Sequence, residues 1–278
     1  MFDLHCHLLP GIDEGAVDPG MALEMARIAA ADGIRAVACT PSILPGVHES
    51  TAEGIRAAVA SLQAELDRHE VHLRLVEGAV AHLAPGLARG VRSGRIPTIA
   101  GSHYLLIEPP RHVVPPRFEE SVFELMTLGI TPVLAQPESL AWVDGHHEVL
   151  VRLATRGAWL QVSTGALTGR QGKRAQYWSE KFVAEGHCHV LATGAHDTGV
   201  HSPLMAEARE VAARLVGRDA ATHLVSTRPR GVFADADPST LPPPVALTRG
   251  GARREPGPVR EPAARGLREL VRGLFRRA

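Results

Sequence analysis

The chain has 278 residues, enough for one large core, with 45% hydrophobic but only 4% aromatic residues, and its 30 lysines plus arginines balance 30 aspartates plus glutamates. A net charge of zero lacks the basic surplus that phosphate-backbone binding requires, so nucleic acid is excluded as a partner. There is no apolar run of transmembrane length and no basic-then-apolar leader at Met1-Phe2-Asp3-Leu4-His5, and Cys6, Cys39 and Cys188 are odd in number and widely spaced, so a soluble, cytoplasmic protein without disulfides is expected.

The first strand is read over Phe2 to His5, and a helix follows over Pro19 to Ala31, with Asp18 as its cap, Pro19 in its first turn and Gly33 to stop it. A second strand spans Ile34 to Thr40. Thr51 to Glu70 sets Ile55, Val59, Leu62 and Leu66 at three- and four-residue steps, the apolar stripe of an amphipathic helix. Further strands are expected over Leu73 to Ala79, Tyr104 to Glu108, Thr131 to Ala135, Trp159 to Ser163 and His189 to Thr193. Seven strand-helix alternations predict an α/β barrel somewhat smaller than an eight-stranded one, which takes about 250 residues, with its chemistry at the C-terminal ends of the strands.

The composition shifts after residue 226, so a barrel over 1–226 and a linker and tail over 227–278 are expected. Pro229 to Pro244 is rich in proline. Arg249 to Ala278 carries nine arginines against three glutamates, so the neutral total conceals a tail of net +6 and a body of net −6. Within the tail, Ala263 to Phe275 has the spacing of a basic amphipathic helix, suited to an anionic membrane or a partner; the alternative is a solvated, disordered tail.

His5 and His7 flank Cys6 at the end of the first strand, so alternation turns both imidazoles to one side and Cys6 to the other. Two imidazoles on one face can share a divalent metal, with Asp13, Glu14 or Glu108 completing a nitrogen-and-oxygen shell for manganese, iron or zinc. A cysteine-based phosphatase would place an arginine six residues after its nucleophile, but Ile12, Pro45 and Gly194 stand there. Cys6 therefore reads as a small buried residue.

Asp3-Leu4-His5-Cys6-His7-Leu8-Leu9-Pro10, followed by Asp13-Glu14-Gly15, resembles the opening of the PHP-superfamily protein-tyrosine phosphatases of bacterial capsule and exopolysaccharide clusters. Thr40-Pro41, Leu106-Ile107-Glu108, Gly129-Ile130-Thr131-Pro132-Val133, Gly165-Ala166-Leu167-Thr168-Gly169 and Ala195-His196 resemble further family segments in order, and the resemblance spans about residues 1–225. It implies a distorted (β/α)7-type PHP barrel with up to three divalent metals, usually manganese, that hydrolyses phosphotyrosine on the tail of a bacterial tyrosine kinase. It also implies a homo-oligomer, with Glu24-Met25-Ala26-Arg27 as the place to look for the contact.

Carried over residue by residue, the resemblance makes His5, His7, Glu14, Glu108 and His196 metal ligands, with Glu14 standing where an aspartate is usual. Four ligand positions are substituted. Thr-Pro-His has become Thr40-Pro41-Ser42, a glutamate has become Val80, His-Pro-Glu-Arg has become Gln136-Pro137-Glu138-Ser139, and Ser-Asp-Ala-His has become Thr193-Gly194-Ala195-His196. His82, two residues beyond Val80, can point to the same face, whereas Asp197 adjoins His196 and alternation aims it elsewhere. His48, His103, His146, His147, His187, His189 and His201 read as surface or internally satisfied groups. The metal is then expected at reduced stoichiometry or absent. Two functions stay open: a weakened or inactive phosphotyrosine phosphatase, and a catalytically degenerate binding or regulatory protein of the same pathway. A third, a hydrolase of some other phosphate ester, has no sequence feature of its own.

Overall fold

A computed structural model describes residues 1–248. All strands are parallel: β1 (Phe2–Cys6), β2 (Ala36–Cys39) and β4 (Arg74–Glu77) form a three-stranded sheet in the order β1-β2-β4, and β3 (Ser42–Ile43), β5 (Val80–His82), β6 (Tyr104–Glu108), β7 (Thr131–Ala135), β8 (Trp159–Ser163) and β9 (Val190–Ala192) form a six-stranded sheet in the order β3-β5-β6-β7-β8-β9. Each strand expected from the sequence is present, and two short strands that the sequence did not indicate, β3 and β5, follow just beyond the second and third. Pro41 has no N–H to donate and ends the β2 pairing, while Gly78 and Ala79 separate β4 from β5 at a point where a Cβ on Gly78 would approach Thr40 Cγ2 to 3.0 Å.

The helices hold as expected. Pro19–Ala31 is capped by Asp18, whose Oδ1 accepts from Met21 N at 2.8 Å. Ala52–Arg68 is capped by Thr51 and buries Ile55, Leu62 and Leu66. None of the helices among the described residues is long and apolar enough to cross a membrane.

Strand alternation sorts the apolar residues into two cores. Leu105, Ile107 and Leu134 face the helices, with Met25, Ile55 and Phe182, whereas Leu4, Val80, Tyr104, Leu106, Val133, Trp159 and Val190 pack on the other face. By the same period Glu108, Gln161 and His82 fall on that second face, above its apolar floor. The first and last strands are tied at their ends: Cys6 bridges Ala195, Gly194 N donates to His5 O at 2.8 Å, and His7 N donates to Ala195 O at 2.8 Å.

The expected boundary after residue 226 falls inside packed structure. Arg228–Phe233 is helical, and the fully buried Arg228 donates from Nε to Pro242 O (2.7 Å) and from its terminal nitrogens to His189 O and Pro243 O (2.8 Å each). Three carbonyls around one guanidinium fasten the proline-rich segment against the body, which composition alone made look like a linker. Residues 249–278, with the tail helix expected over Ala263 to Phe275, lie outside the described residues. Arg228→Met should lower the unfolding free energy by about 3 kcal/mol, the scale for losing several charge-assisted bonds at a buried site; urea denaturation showing a loss under about 1 kcal/mol would reject the clamp.

Candidate active site

A cavity of about 560 Å³ opens at the C-terminal ends of the strands, and His5, His7, Glu14, Glu108 and His196 all line it. His5 and His7 turn to the same side, as alternation requires, with Nε2 atoms 3.1 Å apart, and Cys6 packs behind them among the helix-facing residues. Each ring is held by its other nitrogen. His5 Nδ1 meets Gln161 Oε1 at 2.9 Å and His7 Nδ1 meets Asp13 Oδ2 at 2.7 Å. An amide oxygen and a carboxylate only accept, so both Nδ1 atoms donate and neutral rings present lone pairs at both Nε2 atoms. Two facing lone pairs at hydrogen-bond distance call for a cation or a proton between them.

The electrostatics of the pair differ. Burial drives the His5 imidazolium pKa down to about 3, so its ring is neutral. Burial also opposes charge on His7, but the Asp13 hydrogen bond and carboxylate outweigh it and leave the pKa above the ordinary value. Asp13 is likewise held below its ordinary value, because bonds from His7, Ser42 N and Gly15 N outweigh its burial. Gly15 makes this loop feasible: a Cβ there would lie 2.2 Å from His7 O.

Glu14 reaches the cavity, but Ser42 Oγ donates to its Oε1 at 3.0 Å and His48 Nε2 lies 3.5 Å from its Oε2. Glu108 is engaged by Arg111, whose Nε donates to Oε1 at 2.5 Å, and His82 Nε2 lies 3.5 Å from its other oxygen. Val80 is fully buried in the apolar floor and offers no ligand. Gln136 accepts from Arg111 at 3.3 Å, and its Nε2 sits 2.2 Å from where a Cβ on Gly194 would be.

At the last strand end the rings of His196 and His201 stack with centroids 4.2 Å apart, and Asp197 Oδ2 contacts His201 Nδ1 at 3.1 Å. His201 therefore belongs to the site instead of being an isolated surface group. Asp197 is not aimed away either, since its Oδ2 lies 4.0 Å from His196 Nδ1; the turn through Gly199, which the strand period does not describe, brings it round. Gln161, Arg111, Arg174 and Glu138 were not singled out by the sequence as ligands or clamps, although Gln161 sits at an inward position of a predicted strand and Glu138 just beyond a strand end.

The family model described as "Capsular polysaccharide synthesis, CpsB/CapC" matches residues 1–234. The chain belongs to the CpsB/CapC family. It is 30% identical over 197 residues to the tyrosine-protein phosphatase YwqE of Bacillus subtilis, covering 71% of this chain and 78% of the relative, and 26% identical over 196 residues to the putative tyrosine-protein phosphatase CapC of Staphylococcus aureus, covering 70% and 77%. A crystal structure from work on YwqE of Bacillus subtilis and CpsB of Streptococcus pneumoniae, described as metal-dependent tyrosine phosphatases, superposes with a TM-score of 0.84 at 27% identity, covering 90% of this chain and all of that one.

Against the metal cluster that CpsB/CapC membership implies, the donors fit on one side of the cavity and fail on the other. Among the described residues, His7, Asp13 and Glu14 bring ligand atoms within 4.8 Å of one another, and His5 Nε2 adjoins that group. His196, Asp197 and His201 form a second group of three. On the Glu108 side the donors are Glu108 itself and the His82 imidazole 3.5 Å from it, while a guanidinium, an amide and an isopropyl group fill the rest of that wall and supply no anionic or imidazole ligand. Thiolate chemistry is excluded, since Cys6, Cys39 and Cys188 are buried and burial raises all three thiols, Cys188 to about 12.

Glu138 lines the cavity with one oxygen accepting from Ser163 N at 2.8 Å and the other without a partner, and burial lifts its pKa from 4.5 to about 7. A folded-state pKa above the unfolded one means that the native state holds the proton more tightly, so its contribution is full below pH 4.5 and fades as pH rises through about 7. Glu138→Gln should therefore gain stability relative to the parent between pH 5 and pH 8 in denaturation experiments; parallel pH profiles would refute that assignment. Gly194→Asp alone should lower the melting temperature because of the 2.2 Å approach to Gln136, and Gln136→His with it should recover part of the loss. Equal melting temperatures for the single and double variants would count against this packing.

Proposed function

We propose that this chain is a phosphotyrosine-protein phosphatase of capsule or exopolysaccharide synthesis, acting on a bacterial tyrosine kinase, with a metal complement reduced to one divalent ion and a correspondingly weakened activity. The observation that carries the reading is the His5 and His7 pair, whose Nε2 lone pairs converge at 3.1 Å while Gln161 and Asp13 fix the opposite ring nitrogens. Family membership and the names of the relatives support the reaction class.

His5 and His7, with Glu14, would hold the ion, which when bound would supply Lewis acidity toward a phosphoryl oxygen. Around it, Gln161 and Asp13 keep the two rings oriented, and Asp13 preserves the charge balance at His7. His196, whose ring centroid lies 6.4 Å from that of His7, and His201 stand beside the pair as donors for the ester oxygens, and a cavity of about 560 Å³ has room for a phosphotyrosine side chain. The arrangement also supports reading the two sheets as one interrupted seven-stranded barrel, since β2 runs on into β3, β4 runs on into β5, and β1 meets the end of β9. Residues 1–248 would then be the phosphatase body, with manganese as the family's usual ion.

A second reading, a binding or regulatory protein that engages the phosphotyrosine tail without turning it over, is favoured by one observation: Arg111 and Gln136 fill the side of the cavity that a multi-ion cluster would occupy. Elemental analysis together with turnover of a phosphotyrosine peptide in added manganese separates the two. Slow turnover with about one ion per chain, both lost in His5→Ala and His7→Ala, is expected. Two or more tightly held ions would overturn the reduced complement, and peptide binding with no turnover would leave the binding protein.

A further inference from the structure

Two arginines line the cavity; Arg174 is committed to Asp144 and to the carbonyls of Leu140 and Ala141, whereas Arg111 faces the buried Glu108. Arg111 stands three residues beyond Glu108, on the loop that leaves β6, and turns back so that Nε donates to Glu108 Oε1 at 2.5 Å while a terminal nitrogen donates to Gln136 Oε1 at 3.3 Å. The Glu108 side chain is only 10% exposed, so its carboxylate requires a positive partner; the guanidinium is the permanently charged one, with the His82 imidazole 3.5 Å from the other oxygen. The supporting residues interlock. Gln136 can occupy its place because residue 194 has no side chain, a Cβ there lying 2.2 Å from Gln136 Nε2. Glycine at 194, glutamine at 136 and arginine at 111 thus form one unit, and any ligand-type side chain at 194 would displace it.

A guanidinium carries five N–H groups, and two are used here. The rest belong to a side chain that is 54% exposed and lines the cavity, in the planar array that suits phosphoryl oxygens. We propose that Arg111 is the resident cation of this pocket, taking the place of a divalent ion beside Glu108 and binding the phosphoryl oxygens of a phosphomonoester. This rests on the reading of the cavity as a phosphate-ester site. Because a guanidinium and a divalent ion compete for one carboxylate, phosphate binding here does not depend on metal, and metal binding is weakened by the arginine.

The test uses the full chain, stripped of metal and titrated calorimetrically with inorganic phosphate and, separately, with manganese(II), alongside Arg111→Met and Arg111→Lys; melting curves check that each variant is folded. Wild type is expected to bind phosphate without metal, Arg111→Met to bind it about tenfold more weakly or worse, and Arg111→Lys, which keeps the charge but loses the fork, to fall between. Manganese(II) should bind about tenfold more tightly to Arg111→Met, because Glu108 is released. Phosphate binding by wild type that requires manganese, undiminished phosphate binding by Arg111→Met, or an unchanged manganese affinity would each overturn the proposal. Phosphate binding in chelator without any hydrolysis of a phosphotyrosine peptide in manganese would instead overturn the phosphatase reading and leave the role of Arg111 standing.

Discussion

The buried carboxyl of Asp3 is the constraint on which the site depends. It accepts from Thr193 N at 3.0 Å, from the Thr193 hydroxyl and from His5 N at 3.2 Å, and so joins the first strand to the last across 190 residues of chain. Burial raises its pKa to about 6 even though all three bonds favour the charged form, a measure of how dry the junction is. The polar junction is confined to where the chain ends of the sheet must meet. With the backbone bonds from Gly194 to His5 and from His7 to Ala195, it holds His5 and His7 beside His196.

From that junction the site divides into two halves with different solutions to the same electrostatic problem. On the β1 side, imidazoles are oriented from behind by an amide and a carboxylate, so that their Nε2 atoms converge on a place for one proton or one cation. On the β6 side the acidic group has received its positive charge from within, through Arg111. The residues around the two halves follow this division: Val80 extends the apolar floor, while Gln136 and Gly194 make room for and hold the arginine. Gln136 adopts a left-handed backbone conformation with φ of 48°, a strain that recurs where a side chain's position matters to a binding site.

Much of this was legible in the chain. Short apolar runs, the cap at Asp18 with Gly33, and the apolar stripe from Ile55 to Leu66 located the strands and the first two helices, because those signals act over a few residues. The ordered motifs indicated the family before any contact was known, and the resemblance, carried over residue by residue, picked out five candidates that line the cavity. Less legible was the segment after residue 226, whose proline-rich composition suggested a linker. Its packing rests on long-range contacts, Arg228 with three carbonyls, the Tyr104 hydroxyl with Ala236 O and Val232 in the second core, and the carbonyls carry no sequence signature.

The sequence by itself determined the α/β alternation and the His5 and His7 pair, since these follow from local periodicity, while the loss of ligand types at Ser42, Val80, Gln136 and Gly194 is what the family resemblance implies. Only the tertiary structure decided what replaced them. Arg111 against Glu108, Gln161 behind His5, and His201 stacked on His196 are meetings of loops and strands far apart or of turns with no period, set by how the sheets close and not by any spacing along the chain.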